Sequence, residues 1–166
     1  LDTSVITHVK KRIAWLLVLM FTATITGAIL THYEEAFRAL PTLVAFIPML
    51  MDTGGNAGSQ ASTLVIRGIA TNEIKLKDGW KVIQKEFGVA FLSSLILAVL
   101  NFLRIILMGH PWDVAFVVCV TLIFTVIISK VVGAILPLIA DRLGFDPAVM
   151  SAPLITTIVD TCSILV

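Results

Sequence analysis

Charge is scarce in this chain. Of 166 residues only 14% are Asp, Glu, Lys or Arg, against roughly 25% in a typical soluble domain. With 58% hydrophobic residues and a mean hydropathy of +1.01, an ordinary globular enzyme and a disordered segment are both excluded. A basic stripe is also missing. Twelve Lys and Arg against eleven Asp and Glu leave a net charge of +1, so no nucleic acid is expected as a partner. Cysteine is confined to Cys119 and Cys162, both inside apolar runs and without ligand spacing, so neither a disulfide framework nor a thiolate metal centre is expected. The three histidines, His8, His32 and His110, share no spacing and fall near the ends of apolar runs. Nucleotide-binding motifs, internal repeats and low-complexity tracts are absent. No small-residue cleavage site follows the first apolar run. The chain opens on Leu1-Asp2-Thr3-Ser4 without a Met and closes on an apolar run at Val166, so it reads as a piece of something larger.

What is present is hydrophobic length. Crossing the hydrocarbon core takes about 20 mostly apolar residues in a helix. Five stretches qualify: about 13–31, 40–67, 86–108, 113–140 and 147–166. They are too long and too little alternating for barrel strands, and only helices and closed barrels satisfy their backbone in lipid. The fold class is therefore an all-α integral membrane protein with five transmembrane helices, embedded in membrane lipid. Asp146 is a candidate N-cap, with Pro147 suited to the first helical position of the fifth helix. Trp15, Trp80 and Trp112 suit the aromatic belts of a bilayer. Lys10, Lys11, Arg12, Arg67, Lys75, Lys77, Lys81, Lys85 and Arg142 fall on one side, and only Arg38 and Arg104 on the other. The positive-inside rule then puts the N-terminus in the cytoplasm. The 67–85 stretch is expected as a solvated amphipathic connector.

Polar groups at membrane depth point to function. The second helix carries Asp52, Asn56, Ser59, Gln60 and Thr63, whose spacings of four, three, one and three put them on one stripe. Gly54, Gly55, Ala57 and Gly58 between them allow close helix contact or a local irregularity whose freed carbonyls could face a cation. The fifth helix carries Asp160, with Pro153, Thr156 and Thr157 on the same face. Counting back at 1.5 Å per residue, Asp160 lies roughly 21 Å from Asp146, while Asn56 and Asp52 lie roughly 16 and 22 Å from Arg67. Asp52, Asn56 and Asp160 are thus expected at similar heights near mid-membrane. Oxygen-only donors suit a hard divalent ion. One carboxylate per chain, contacting an ion that keeps its waters, fits magnesium better than a calcium cage.

Each residue also has a plainer reading. Asp160 or Asp52 could neutralise Lys130, deep in helix four, and Asn56 could bond between helices. Asp146 could be only a cap, and Glu86 a structural or mouth-lining group. Gly54, Gly55 and Gly58 could serve packing, and Thr22, Thr24 and Thr26 could bond back to their own helix. Asp52-Thr53-Gly54 has the triplet of aspartic proteases, which need two carboxylates sharing a proton. An intramembrane aspartyl protease using Asp52 and Asp160 is therefore an enzyme-class rival. An ion-coupled secondary divalent-cation transporter is another, although the inverted repeats that would favour it are not found.

The segment Pro48 through Gln60, centred on Gly54-Gly55-Asn56-Ala57-Gly58-Ser59-Gln60, resembles the signature of the MgtE family of magnesium channels. So do Lys85-Glu86-Phe87-Gly88-Val89, Val132-Gly133-Ala134-Ile135-Leu136-Pro137, and Asp146-Pro147-Ala148 leading to Asp160. The resemblance covers essentially the whole chain in order. It implies a homodimer of five-helix protomers with helices two and five lining a central pore. The position matching Asp160 holds hydrated Mg2+, supported by Asn56, with Asp146 a secondary metal position at the cytoplasmic mouth. Residues 1–11 then correspond to the end of a connecting plug helix and 12–166 to the pore domain, with cytoplasmic magnesium-sensing domains absent. The expected pore lining is Asp52, Gly54, Gly55, Ser59, Gln60, Pro153, Thr156 and Thr157. Ala152 replaces an Asn found in some members, so no side-chain ligand is expected there.

Overall fold

A computed structural model describes residues 5–165 of the chain; within it the side chains at 5, 8, 10–12, 14, 15, 36 and 149–153 lie outside the description. The described residues are helical, with no strand among them. The elements in chain order are α1 (Val5–His32), α2 (Glu34–Ala39), α3 (Pro41–Val44), α4 (Ile47–Ala70), a 3-10 turn (Leu76–Asp78), α5 (Gly79–Leu107), α6 (Trp112–Arg142) and α7 (Pro147–Leu165). The α5 region, Leu76–Leu107, and α6 are long and apolar enough to cross a membrane, at mean hydropathies of 2.2 and 2.6. Shorter apolar stretches occupy Leu16–His32 of α1 and Leu154–Leu165 of α7.

Two sequence-predicted boundaries are corrected. The stretch expected as one helix over 40–67 is broken: α3 ends at Val44 and α4 starts afresh at Ile47, with Pro48 in its first turn. Pro48 has no N–H to return to the carbonyl of Val44, so the helix begun at Pro41 cannot run on through it and restarts at Ile47. The connector expected over 67–85 is far shorter. Ile74 donates its N–H to the carbonyl of Gly68 at 2.9 Å, Asn72 adopts φ 59°, and α5 is helical from Gly79. Gly68 makes this turn possible, since a Cβ there would collide with the Ile74 side chain. The helix α1 runs from Val5 to His32, so the span expected over 13–31 continues a helix that is already formed before it.

The centre of the bundle is α6, which packs against α4, α5 and α7; α7 also packs against α4 and α1. Without a hydrophobic driving force between helices in lipid, close approach through small residues has to hold such a bundle. The buried stripe of α5 fits this: Glu86, Ala90, Ser94, Ala98, Asn101 and Ile105 recur every three or four residues, while most of its Phe, Leu and Val side chains are exposed. The buried Asn101 amide donates toward Cys119 Sγ at 3.9 Å, and the Cys119 thiol donates to the Ala98 carbonyl at 3.2 Å, tying α5 to α6. Thr22 and Thr24 donate to Leu19 and Met20 carbonyls of their own helix, as expected for hydroxyls in an apolar setting. Trp80 and Trp112 are exposed at the starts of the consecutive helices α5 and α6.

The tightest contact is between α4 and α6. A Cβ on Gly133 would overlap the backbone carbonyl of Gly58, which cannot move aside without shifting a helix. Gly133→Ala is expected to cost about 1–3 kcal/mol by overpacking. Gly88→Ala, on α5 with nothing within 4 Å of the added Cβ, is expected to cost nothing and to gain up to about 1 kcal/mol of helix propensity. Thermal melting of the two variants in one detergent checks the contrast.

Candidate functional site

The helix α4 has two chemically opposed faces. Leu50, Gly54, Ala57, Gly58, Ala61, Ser62, Val65 and Gly68 are buried, while Asp52, Asn56, Ser59, Gln60 and Thr63 are exposed. The small residues draw the buried face onto α6 and α7, which turns the polar face outward. The Asn56 amide donates to Asp52 Oδ2 at 3.2 Å one turn away, and Thr63 donates to the Ser59 carbonyl at 2.8 Å. The glycine-rich segment is regular helix throughout, so of the two alternatives for it, close helix contact holds and its carbonyls stay within α4.

That contact also fixes the register against α7. A Cβ on Gly54 would stand 2.5 Å from Val159 Cγ1, and one on Gly58 would stand 2.7 Å from Ile155 Cγ2. Four residues along α4 correspond to four residues back along α7, so the two helices run antiparallel in step. In that register Asp160 is level with Thr53, one residue from Asp52, and Asn56 is level with Thr157. The expected common height of Asp52, Asn56 and Asp160 is thus reproduced by packing. Asp160 and Thr157 are half-buried and Thr156 is exposed, beside the fully buried Ile155 and Val159.

Other candidates are placed apart. Asp146 caps α7, its Oδ1 accepting the Ala148 N–H at 2.9 Å, and it precedes Asp160 by roughly 21 Å of helix. Gly54 belongs to the packing face, away from the polar stripe, whereas Gly55 is half-exposed with open space around it. The Pro153 side chain lies outside the described residues. Lys130 is buried, yet it forms no ion pair with Asp160 or Asp52; among the described residues the ion pair is the surface contact of Arg38 with Glu34. The carboxylates of Asp52 and Asp160 share no hydrogen bond, the Asp52 carboxylate being held instead by Asn56. That is not the proton-sharing dyad of an aspartic protease.

Thr125 and Ser129 of α6 were not singled out by sequence. They press on Gly54, Ser129 also faces Gly58 through its carbonyl, and the Ser129 hydroxyl donates to the Thr125 carbonyl at 2.6 Å. A Thr and a Ser four apart in an apolar helix were the available signal. Among the described residues no three His, Cys, Asp or Glu side chains converge as a metal cage. What one copy presents is a ladder of oxygen atoms and amides from α4, with a single carboxylate from α7 beside it. Such a surface suits an ion that retains its water.

Residues 47–166 match the MgtE family, described as divalent cation transporters. The chain is 39% identical over 155 residues to a protein of Thermus thermophilus named magnesium transporter MgtE, covering 93% of this chain and 34% of that protein. A Bacillus subtilis protein of the same name is 34% identical over 166 residues, covering 99% and 37%. An Enterococcus faecalis protein, again of that name, is 28% identical over 157 residues, covering 95% and 35%. The chain therefore spans about a third of the length of the curated relatives it matches.

The capping geometry allows the two readings of Asp146 to be separated. Asp146→Ala is expected to lower stability by about 1 kcal/mol through loss of the bond to the Ala148 N–H. Asp146→Asn keeps an acceptor at the cap and is expected to melt within a few tenths of a kcal/mol of the parent. Any loss of ion binding in the Asn variant then reports the charge alone, by thermal melting with and without Mg2+.

Proposed function

Because the chain belongs to the MgtE family of divalent cation transporters, we propose that it forms a membrane pore module passing hydrated Mg2+ down its electrochemical gradient. The observation that carries this reading is the exposed ladder Asp52, Asn56, Ser59 and Gln60 on α4, level with Asp160 on α7, in a bundle whose remaining outer surface is largely hydrocarbon. A lipid-facing helix would not hold these groups. They need a partner surface, a water path or both. Two copies of the chain, related by a two-fold axis along the membrane normal, supply both: α4 and α7 of each protomer face the axis and enclose an aqueous route.

In this assembly α1, α4, α5, α6 and α7 are the five spans, with the N-terminus and the ends rich in Lys and Arg in the cytoplasm of an inner (plasma) membrane. Mg2+ is the cargo. Asp160 from each protomer faces it through its water shell, Asn56 and Thr157 add donors and acceptors one turn away, and Asp52 extends the negative wall. Asp146 marks the cytoplasmic end of α7, where a second ion could dock. Gly54 acts as a spacer that seats α4 on α7, and the open side of Gly55 faces the path. Cytoplasmic magnesium-sensing domains in a full-length protein would regulate the pore through the N-terminal end of α1. An inward-negative potential contributes about 2.3 kcal/mol per charge per 100 mV, roughly double for a divalent ion. Downhill passage therefore needs no chemical energy source. A coupled transporter is the second reading, and Asp160 would be its coupling site.

Asp160→Ala is expected to abolish Mg2+ current in patch recordings while the dimer survives, as judged by cross-linking. Unchanged current would overturn the pore reading. In the parent, reversal at the Mg2+ equilibrium potential at every pH identifies a channel, and reversal that moves with the proton gradient identifies a coupled carrier.

A further inference from the structure

A second polar cluster lies away from the α4 stripe. A cavity of about 430 Å³ opens between α4, α5 and α6, and Lys81, Lys85, Glu86 and Lys130 line it together with aliphatic walls that include Leu64, Val65 and Val89. Lys130 is only 6% exposed and has no ion-pair partner among the described residues, and Glu86 is 9% exposed with its Oε2 making no hydrogen bond. Three amines against one carboxylate leave an excess of positive charge beside largely aliphatic walls, where charge without a counter-ion is costly. Such a site is completed by an anion.

The depth of the cavity says what kind of anion. Gly79 meets Leu138; counting seven residues along α5 to Glu86 and eight back along α6 to Lys130 gives roughly 10 and 12 Å, so the two are level. The 29 residues of α5 measure roughly 43 Å against a hydrocarbon core of about 30 Å, which puts its first turns, with Lys81 and Lys85, at headgroup depth. Lys130 reaches the same zone by extending its aliphatic stem. A free phosphate would gain nothing from Leu64, Val65 and Val89. A phosphodiester that continues into glycerol and acyl chains would use both the amines and those walls. Basic pockets between helices at the cytoplasmic end of membrane spans bind lipid headgroups in this way.

We propose that this cavity is a binding site for the phosphodiester headgroup of an anionic phospholipid, held by Lys81, Lys85 and Lys130, whose charge the single Glu86 carboxylate offsets only in part. The site rests on the membrane-spanning reading but not on the pore, since none of Asp52, Asn56, Ser59, Gln60 or Asp160 lines it. Native mass spectrometry of the detergent-purified protein tests it, with phosphatidylglycerol and phosphatidylcholine of the same acyl chains as probes. Phosphatidylglycerol is expected to be retained in preference to phosphatidylcholine. Lys85→Gln, at an exposed position that tolerates substitution, and Lys130→Met are each expected to weaken its retention roughly fivefold, whereas Lys77→Gln, outside the cavity, leaves it unchanged. Equal retention of the two lipids, undiminished retention by Lys85→Gln, or displacement of the lipid by millimolar inorganic phosphate would overturn the assignment. Retention is read without transport, so a failed Mg2+ current leaves the result standing, and a lipid that does not bind leaves the pore reading untouched.

Discussion

The contact on which the rest of this structure depends is the approach of α4 to α6 and α7 through Gly54, Gly58 and Gly133. No side chain larger than hydrogen fits at these points without moving a helix or a buried residue. Because lipid offers apolar side chains as good a home as protein does, burial of hydrocarbon cannot be what draws these helices together; close backbone packing must. The same contact does two further things. It turns the Asp52–Asn56–Ser59–Gln60 edge of α4 away from the bundle, and it locks α7 in a register that brings Asp160 level with that edge.

The polar groups of this chain fall into three classes with different physical fates. Hydroxyls such as Thr22, Thr24, Ser129 and Ser163 satisfy themselves on carbonyls of their own helix and need nothing else. Asn101 and Cys119 spend theirs on joining α5 to α6. Asp52, Asn56, Gln60 and Asp160 on one side, and Lys130 with Glu86 on another, retain polar capacity that the single chain does not use up. The first group suits a hydrated cation on an axis shared with a second copy. The second suits an anion from the surrounding bilayer. The two clusters have opposite sign and share no lining residue.

Much of this was legible in the residues. The long apolar runs announced α5 and α6, the spacing of Asp52, Asn56, Ser59 and Gln60 announced a stripe, and Asp146-Pro147 announced the cap that the Ala148 N–H confirms. What was misread was local. The apolar run from Leu40 to Arg67 hid a break, because Pro41 and Pro48 interrupt hydrogen bonding without lowering hydropathy. The charged stretch before Glu86 looked like a connector, because exposed Lys and Trp at the end of a helix have the composition of a loop. The glycines around Asn56 left close helix contact and an irregular backbone both open, because composition cannot show which neighbours press on them.

The chain by itself determined its solvent and its helices: too few charges and too much continuous hydrocarbon for water, and a periodic set of oxygens and amides that lipid would not accept. Tertiary structure decided what each charged group faces. Lys130 could have neutralised Asp160 as far as hydropathy and depth were concerned, and the packing of α6 directs it instead to the cavity beside Glu86. The reason is geometric. Depth along a helix follows from counting residues, but direction around it is set by which neighbour comes closest, and here three glycines set it.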